Sequence, residues 1–316
     1  MAVSRRVIVA GVFACAVSAT PARAQLNTQH IKGAVGLKAA SQPPPHWYVN
    51  LPLIYVYNTD TVRNDDGSKL PGNATITAGA FGAGALKVTT TKLLGGNYSF
   101  SFFFPAWSNN RLQGTEIDQN PGAGLTDSAV SPLTLGWHFK RADAMAGYTL
   151  FIPTGRYSDG ATNNTGFGMW AHELAVGTTV YLTEKRQFHV ATMASFDFQT
   201  KKEDSDTKVG NAMNLEGGIG ADFLRGGLTA GLVYYASFKL TDDQFDNFPN
   251  VLVRGKNNVF ALGPEATLAI ASKGTLYAFL KVNYQWEVYA RTTTQGGAFL
   301  VSAVLPMRPI KLPDTK

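Results

Sequence analysis

The sequence predicts an all-β protein, an antiparallel up-and-down transmembrane β-barrel of about twelve strands. Three observations predict it. Residues Leu276 to Tyr289 alternate with a period of two. Leu276, Ala278, Leu280, Val282, Tyr284, Trp286 and Val288 fall on one side, and Tyr277, Phe279, Lys281, Asn283, Gln285, Glu287 and Tyr289 on the other. That is a strand with two chemically different faces, about twice as long as a usual soluble strand. Second, long polar connections alternate with tight ones along the chain, as external loops and periplasmic turns do in an outer-membrane meander. Third, no apolar run in the body approaches the ~20 residues of a membrane helix. Mean hydropathy is only -0.06, although 45% of residues are hydrophobic and 16% charged; alternation dilutes a barrel's hydropathy in this way.

The 316 residues begin with the anatomy of an export signal. Arg5 and Arg6 form a basic start, Val7 to Ala19 a short apolar core, and Ala22-Arg23-Ala24 a small-x-small cleavage pattern, so residues 1–24 read as a signal peptide. The single cysteine, Cys15, lies in that core, which leaves the mature chain without disulfide, thiolate metal site or cysteine nucleophile. The formal +6 includes Arg5, Arg6 and Arg23, so the mature chain is 6 − 3 = +3. A nucleic-acid partner loses its main support.

Residues 25–46 look irregular, with a proline run at 43–45. They are either a periplasmic lead-in, the commoner fate of a short terminus, or a small plug folded into the lumen. The barrel is expected over 47–307, with 308–316 as a tail.

The strands follow in order. The first two are expected at 47–57 and 74–90, the second with Gly79, Gly82 and Gly84 keeping one face small. At 97–104, Tyr98, Phe100, Phe102 and Phe104 share a face; at 131–140, Leu133, Leu135, Trp137 and Phe139 oppose Thr134, Gly136, His138 and Lys140. The fifth is 143–152. At 169–182, Trp170, Leu174, Val176, Val180 and Leu182 point out while Glu173, Thr179 and Tyr181 point in. At 187–198, Phe188, Val190, Phe196 and Phe198 oppose His189, Ser195 and Asp197. At 212–224, Met213, Leu215, Ile219 and Phe223 oppose Asn214, Glu216 and Asp222. Strands at 227–239, 258–271, the stretch around 276–289, and 297–306 complete the set. Long connections are expected at 58–73, 105–129, 153–168, 200–211 and 240–257, and short ones at 95–96, 141–142, 184–186, 225–226 and 272–274. Twelve tilted strands enclose a backbone diameter of roughly 24 Å, a lumen suited to small solutes.

The inward side chains expected to line that lumen are Lys140, Glu173, Tyr181, Asp197, Glu216, Asp222, Glu265, Lys281, Asn283, Gln285 and Glu287. They form either a structural polar network filling a narrow barrel or a selectivity lining for small solutes. Tyr157, Phe167, Phe245 and Phe248 lie in external connections and could form a capture site for flat apolar molecules at the outer rim.

Catalytic signals are weak. Gly79, Gly82 and Gly84 lack the strand–turn–helix context of a dinucleotide loop. His30, His46, His138, His172 and His189 form no spaced metal pair, and no cofactor or metal is expected. His172 has no serine marked as its partner.

Several segments resemble a known family. Gly36-Leu37-Lys38-Ala39-Ala40-Ser41-Gln42-Pro43-Pro44-Pro45 with Trp47-Tyr48 is similar to the opening of the phenol meta-pathway degradation family (SphA-like). Phe151-Ile152-Pro153-Thr154-Gly155-Arg156-Tyr157, Phe167 to Trp170, Tyr234-Tyr235 with Leu240-Thr241-Asp242-Asp243, and Val259 to Pro264 resemble it as well. The resemblance implies an outer-membrane barrel tied to catabolism of aromatic compounds, through uptake of a small hydrophobic or aromatic molecule. Its partners would be membrane lipid, that solute and, during biogenesis, the barrel-assembly machinery. A non-transporting barrel with a plugged lumen, or a rim-sited enzyme, is the rival. One departure is the end of the chain, where Leu305-Pro306-Met307 is followed by Arg308 to Lys316 instead of a terminal aromatic residue.

Overall fold

Strand pairing in this protein closes on itself. The computed structural model describes residues 27–69, 75–104, 107–113, 118–159, 161–244 and 256–311. The signal peptide expected at 1–24, and Phe245 and Phe248, lie outside the described residues. Strands are β1 (Trp47–Val62), β2 (Thr75–Leu93), β3 (Gly96–Phe103), β4 (Trp107–Gln113), β5 (Asp118–Leu125), β6 (Ser128–His138), β7 (Ala142–Ile152) and β8 (Ala171–Tyr181). They continue with β9 (Phe188–Gln199), β10 (Ala212–Phe223), β11 (Leu228–Lys239), β12 (Asn258–Ser272), β13 (Thr275–Arg291), β14 (Thr294–Pro306) and a two-residue β15 (Ile310–Lys311). Each stave pairs antiparallel with its neighbours, and β1 closes the ring by pairing with both β14 and β2. Among the described residues, closure leaves no open sheet edge at membrane level, which lipid would penalise.

The barrel has twelve staves. Two of them are broken. The lower half of β2 pairs with β3 and its upper half with β4, while β3 pairs with β6 and β4 with β5. Hence β3–β4 is one wall stave and β5–β6 the next. The long loop expected at 105–129 is thereby corrected: most of it extends the wall upward. Its Asn, Gln, Ser and Gly residues read as loop by composition, but the edge of β2 propagates the ladder into them. The last external connection is also tight, since β13 ends at Arg291 and β14 begins at Thr294. On the opposite rim, Leu94-Gly95 and Lys273-Gly274 have positive φ at both central residues, the geometry that matches strand twist in a two-residue hairpin.

The faces are sorted inside out. Leu174, Val176, Val190, Phe198, Ile219, Leu232, Leu268, Leu280, Val282 and Trp286 stand exposed on the outer wall. Ser99, Thr179, Ser195, Asp197, Asn214, Glu216, Ser237, Glu265, Asn283, Gln285 and Glu287 are buried within. Strand β13 keeps its alternation over Leu280 to Glu287 but not at its ends. Register shifts near Ala271 and Ala261 leave Tyr277 and Val288 as extra residues, and Tyr277 and Tyr289, expected inward, are exposed instead. A bulge sets two residues against one and reverses the phase beyond it. Past β14 the chain does not simply trail away, because Ile310 and Lys311 pair with Leu276 and Thr275.

Candidate functional site

The interior is not vacant. The described part of the irregular N-terminal segment runs through the lumen from one rim to the other. At the external end, Gln29 Nε2 donates to Asp127 Oδ2 at 2.8 Å and to the Met169 carbonyl at 2.9 Å. At the periplasmic end, Gln42 Nε2 donates to Ser99 Oγ at 2.8 Å, and Ser41 Oγ donates to Asp143 at the foot of β7.

Between these ends the segment leans on one arc of the wall. His30 contacts Glu173 Oε2 through Nδ1 at 2.6 Å and Glu216 Oε1 through Nε2 at 3.0 Å. Glu216 also accepts the backbone N–H of Gly33 at 2.7 Å and of Val35 at 3.0 Å. Glu265 accepts the Leu37 N–H at 2.9 Å. Lys38 pairs with Asp222 at 2.9 Å. Asn283 and Gln285 donate to the Gly33 carbonyl at 3.1 and 3.0 Å. An irregular backbone buried away from water must find partners for its N–H and C=O groups, and the inward carboxylates and amides of β8–β13 supply them.

Packing completes the seat. Leu37 is 1% exposed, and its Cδ2 lies within 3.0 Å of where a Cβ on Gly218, Gly220 or Gly231 would stand. Inward glycines on β10 and β11 therefore make the recess that the leucine fills. Gly33 and Gly36 both have positive φ, and a Cβ on either would collide with Gln285 or Glu265. Ala39 and Ala40 pack against Ala191 and Met193 of β9, with Val35, Met145 and Ala175 around them.

The residues expected to line the lumen fall into place as follows. Glu173, Glu216, Asp222 and Glu265 meet the segment as described, and Tyr181 donates to Asp143 Oδ2 at 2.7 Å. Asp197 takes a hydrogen bond from Asn214 Nδ2 at 2.9 Å. Glu287 binds Tyr57 and Tyr235 hydroxyls at 2.7 and 2.8 Å. Lys281 donates to the Ala34 carbonyl at 2.5 Å, so it serves backbone and not a carboxylate. Lys140 is a correction: it is exposed in the turn between β6 and β7, because β6 ends at His138 and the alternation stops before the lysine.

At the external rim, Phe167 N–H and Gly155 N–H both donate to Asp127 at 2.9 Å. Burial pushes the Asp127 carboxyl above the usual carboxylate range. Tyr157 packs over Gly168, and Lys202 Nζ sits 4.9 Å from its ring centre. His172 stands on the outer face, its Nδ1 2.7 Å from the Tyr148 hydroxyl. The sequence marked neither Asp127, Asp143 nor Ser41. Asp143, almost wholly buried, gathers Ser41, Tyr181, His138 and Arg186 at one point.

On the opposite arc the segment touches Tyr48, whose hydroxyl donates to the Pro44 carbonyl at 2.8 Å, and leaves space beside it. There a cavity of about 240 Å³ is lined by Tyr48, Asn50, Gly84, Leu86, Ser101, Phe103, Ala129, Ser131 and Val304, with the adjoining Ala85 and Phe102. None of these side chains carries a formal charge. A closed barrel with an apolar exterior and a polar, occupied lumen is built for lipid outside and water at both rims, and its place is the outer membrane.

Among solved structures, the chain is similar to the COG4313 outer membrane channel from Pseudomonas putida F1. The two are 13% identical with a TM-score of 0.70, covering 84% of this chain and 97% of that one. It is more distantly similar to the NanC porin, at 9% identity and TM-score 0.42 over 81% and 100% of the two chains. A loop-deleted OmpT of Vibrio cholerae gives 8% identity and TM-score 0.40 over 82% and 97%. At 13% identity the likeness to the COG4313 channel is one of fold. No curated protein matches the chain. The sequence of residues 32–303 fits the family described as "Putative MetA-pathway of phenol degradation", and the chain belongs to that family.

Proposed function

We propose that the barrel is a passive channel for small hydrophobic or aromatic molecules, serving their catabolism. The observation that carries this reading is the asymmetry of the lumen. The N-terminal segment occupies the carboxylate-rich arc of β8–β13, where Glu173, Glu216, Asp222 and Glu265 hold it. The other arc offers an uncharged cavity walled by Tyr48, Leu86, Phe103 and Val304, with Ser101, Ser131 and Asn50 as its polar groups. Flat solutes carrying one or two hydroxyls suit such a lining, since ring faces meet apolar walls and a few placed polar groups fix orientation. Its size fits too: an apolar cavity of about 150 Å³ takes benzene.

Catalysis has little to work with here. His172, the residue a rim enzyme would need, faces outward and is engaged with Tyr148. The family's association with phenol degradation supports a role next to a degradative pathway, met by bringing in the substrate. The test is growth of a deletion strain on limiting aromatic carbon sources, with a sugar as control. Growth should slow on one or more aromatic compounds alone, and be restored by the wild-type gene. Equal growth of both strains on every aromatic compound would refute the proposal.

A further inference from the structure

We infer that His30, Glu173 and Asp197 form a binding site for a divalent transition-metal ion of the zinc type, joining the N-terminal segment to the barrel wall. One donor atom from each lies within 4.8 Å of the other two. The donors come from three separate places in the chain: the segment, β8 and β9.

Four features make this more than a group of acids. First, Glu173 and Asp197 are directly paired across β8 and β9 on the inward face. Two carboxylates so placed repel one another unless a positive charge or a shared proton lies between them. Second, Asp197 is 3% exposed, and its Oδ1 is buried with no hydrogen-bond donor in place. An acceptor in that state calls for a cation or a proton. Third, the outer partners are those of a built site. Glu216 contacts His30 Nε2 at 3.0 Å, which fixes the ring and turns Nδ1 toward Glu173. Asn214 holds Asp197 through its other oxygen, Oδ2, at 2.9 Å. A histidine ligand whose far nitrogen meets a carboxylate is a recurrent way of orienting metal-bound imidazole.

Fourth, the surroundings are acidic. Glu173, Asp197 and Glu216 bring three carboxylates, and the neighbouring cation Lys32 is shared among Glu287, Asp197 and Glu216, so negative charge is left over for a cation to offset. An imidazole with two carboxylates suits zinc better than magnesium, which prefers oxygen alone. Zinc distances of about 2.0–2.2 Å need only roughly an ångström of side-chain movement from the present arrangement. The competing arrangement is a His30 imidazolium shared between Glu173 and Glu216 with a proton on Asp197.

The experiment uses the folded mature protein in detergent, stripped with a chelator. It is titrated calorimetrically with zinc chloride and, separately, magnesium chloride, and metal content is measured after desalting. Wild type should retain one zinc per chain and bind magnesium at least tenfold more weakly. Asp197→Asn and His30→Gln should each weaken zinc binding at least tenfold, whereas His172→Ala, on the outer face, should leave it unchanged. Folding of every variant is checked by its heat-dependent migration in detergent gels, with Glu173→Gln taking the place of any that fails. Wild type retaining no zinc, magnesium binding equally well, or Asp197→Asn and His30→Gln binding like wild type would each overturn the inference.

Discussion

The Glu216 carboxylate lies 3.0 Å from His30 Nε2, so that a wall residue of β10 grips a ring carried by the N-terminal segment. The same carboxylate takes the N–H groups of Gly33 and Val35. Glu216→Ala would strand these buried donors, at about 1–3 kcal/mol for each unsatisfied group. Amide exchange at Gly33 and Val35 should accelerate at least tenfold, while amides of β10 and β11 keep their protection. Unchanged exchange in the segment would show that Glu216 does not hold it.

Leu37 tests the apolar half of the same seat. Its side chain fills the recess made by Gly218, Gly220 and Gly231. Leu37→Ala removes a buried aliphatic group, a change that costs about 2–5 kcal/mol where the surroundings do not collapse. The loss should fall on docking of the segment and leave the urea midpoint of the barrel nearly unmoved. A midpoint shift with no loosening of residues 33–40 would contradict this.

Val282 and Asn283 are neighbours on β13 with opposite surroundings. Val282 is 40% exposed on the outer wall, and Asn283 is 2% exposed beneath Gly33 and Glu265. Val282→Arg should lower barrel stability by roughly 2–4 kcal/mol if that level meets the bilayer midplane. Asn283→Arg should displace the segment and leave the barrel folded. Equal loss of barrel stability for both would mean that the faces are assigned wrongly.

Removing the segment should open the lumen. A protein lacking residues 27–42 loses the chain that crosses the interior, and its single-channel conductance in planar bilayers should rise several-fold over wild type. Selectivity for cations should rise as well, because Glu173, Glu216, Asp222 and Glu265 lose their partners from the segment. Equal conductance would show that the segment does not limit the path.

Much of this barrel is legible in the sequence, for a physical reason. Lipid outside and polar groups inside impose opposite demands on successive residues, so Leu280 to Glu287 states its two faces in its alternation. Tyr277 and Tyr289 escape that reading because bulges insert one residue, and nothing in composition marks where. β4 and β5 look like loop because their Asn, Gln, Ser and Gly residues break any run of alternating apolar positions. The segment is harder still. Its backbone is held by side chains far away in the chain, as Gly33 is by Glu216, and such contacts leave no period to read. His30, Gly33, Gly36 and Lys38 are visible as residues, but their seat is not. Lys140 lies two residues past the end of β6, where the alternation no longer says which way a side chain points.

The uncharged arc is the route assigned to the solute, and Ser101 stands within it. The most direct measurement is the initial rate of uptake of a labelled aromatic substrate at low micromolar concentration. Intact cells of the deletion strain would carry wild type, Ser101→Trp or Leu232→Trp at equal levels in the outer membrane. Ser101→Trp fills the cavity, and uptake should fall to that of cells without the protein. Leu232→Trp adds bulk only to the exposed outer wall, and uptake should remain that of wild type. Wild-type rates for Ser101→Trp would contradict passage through this lumen.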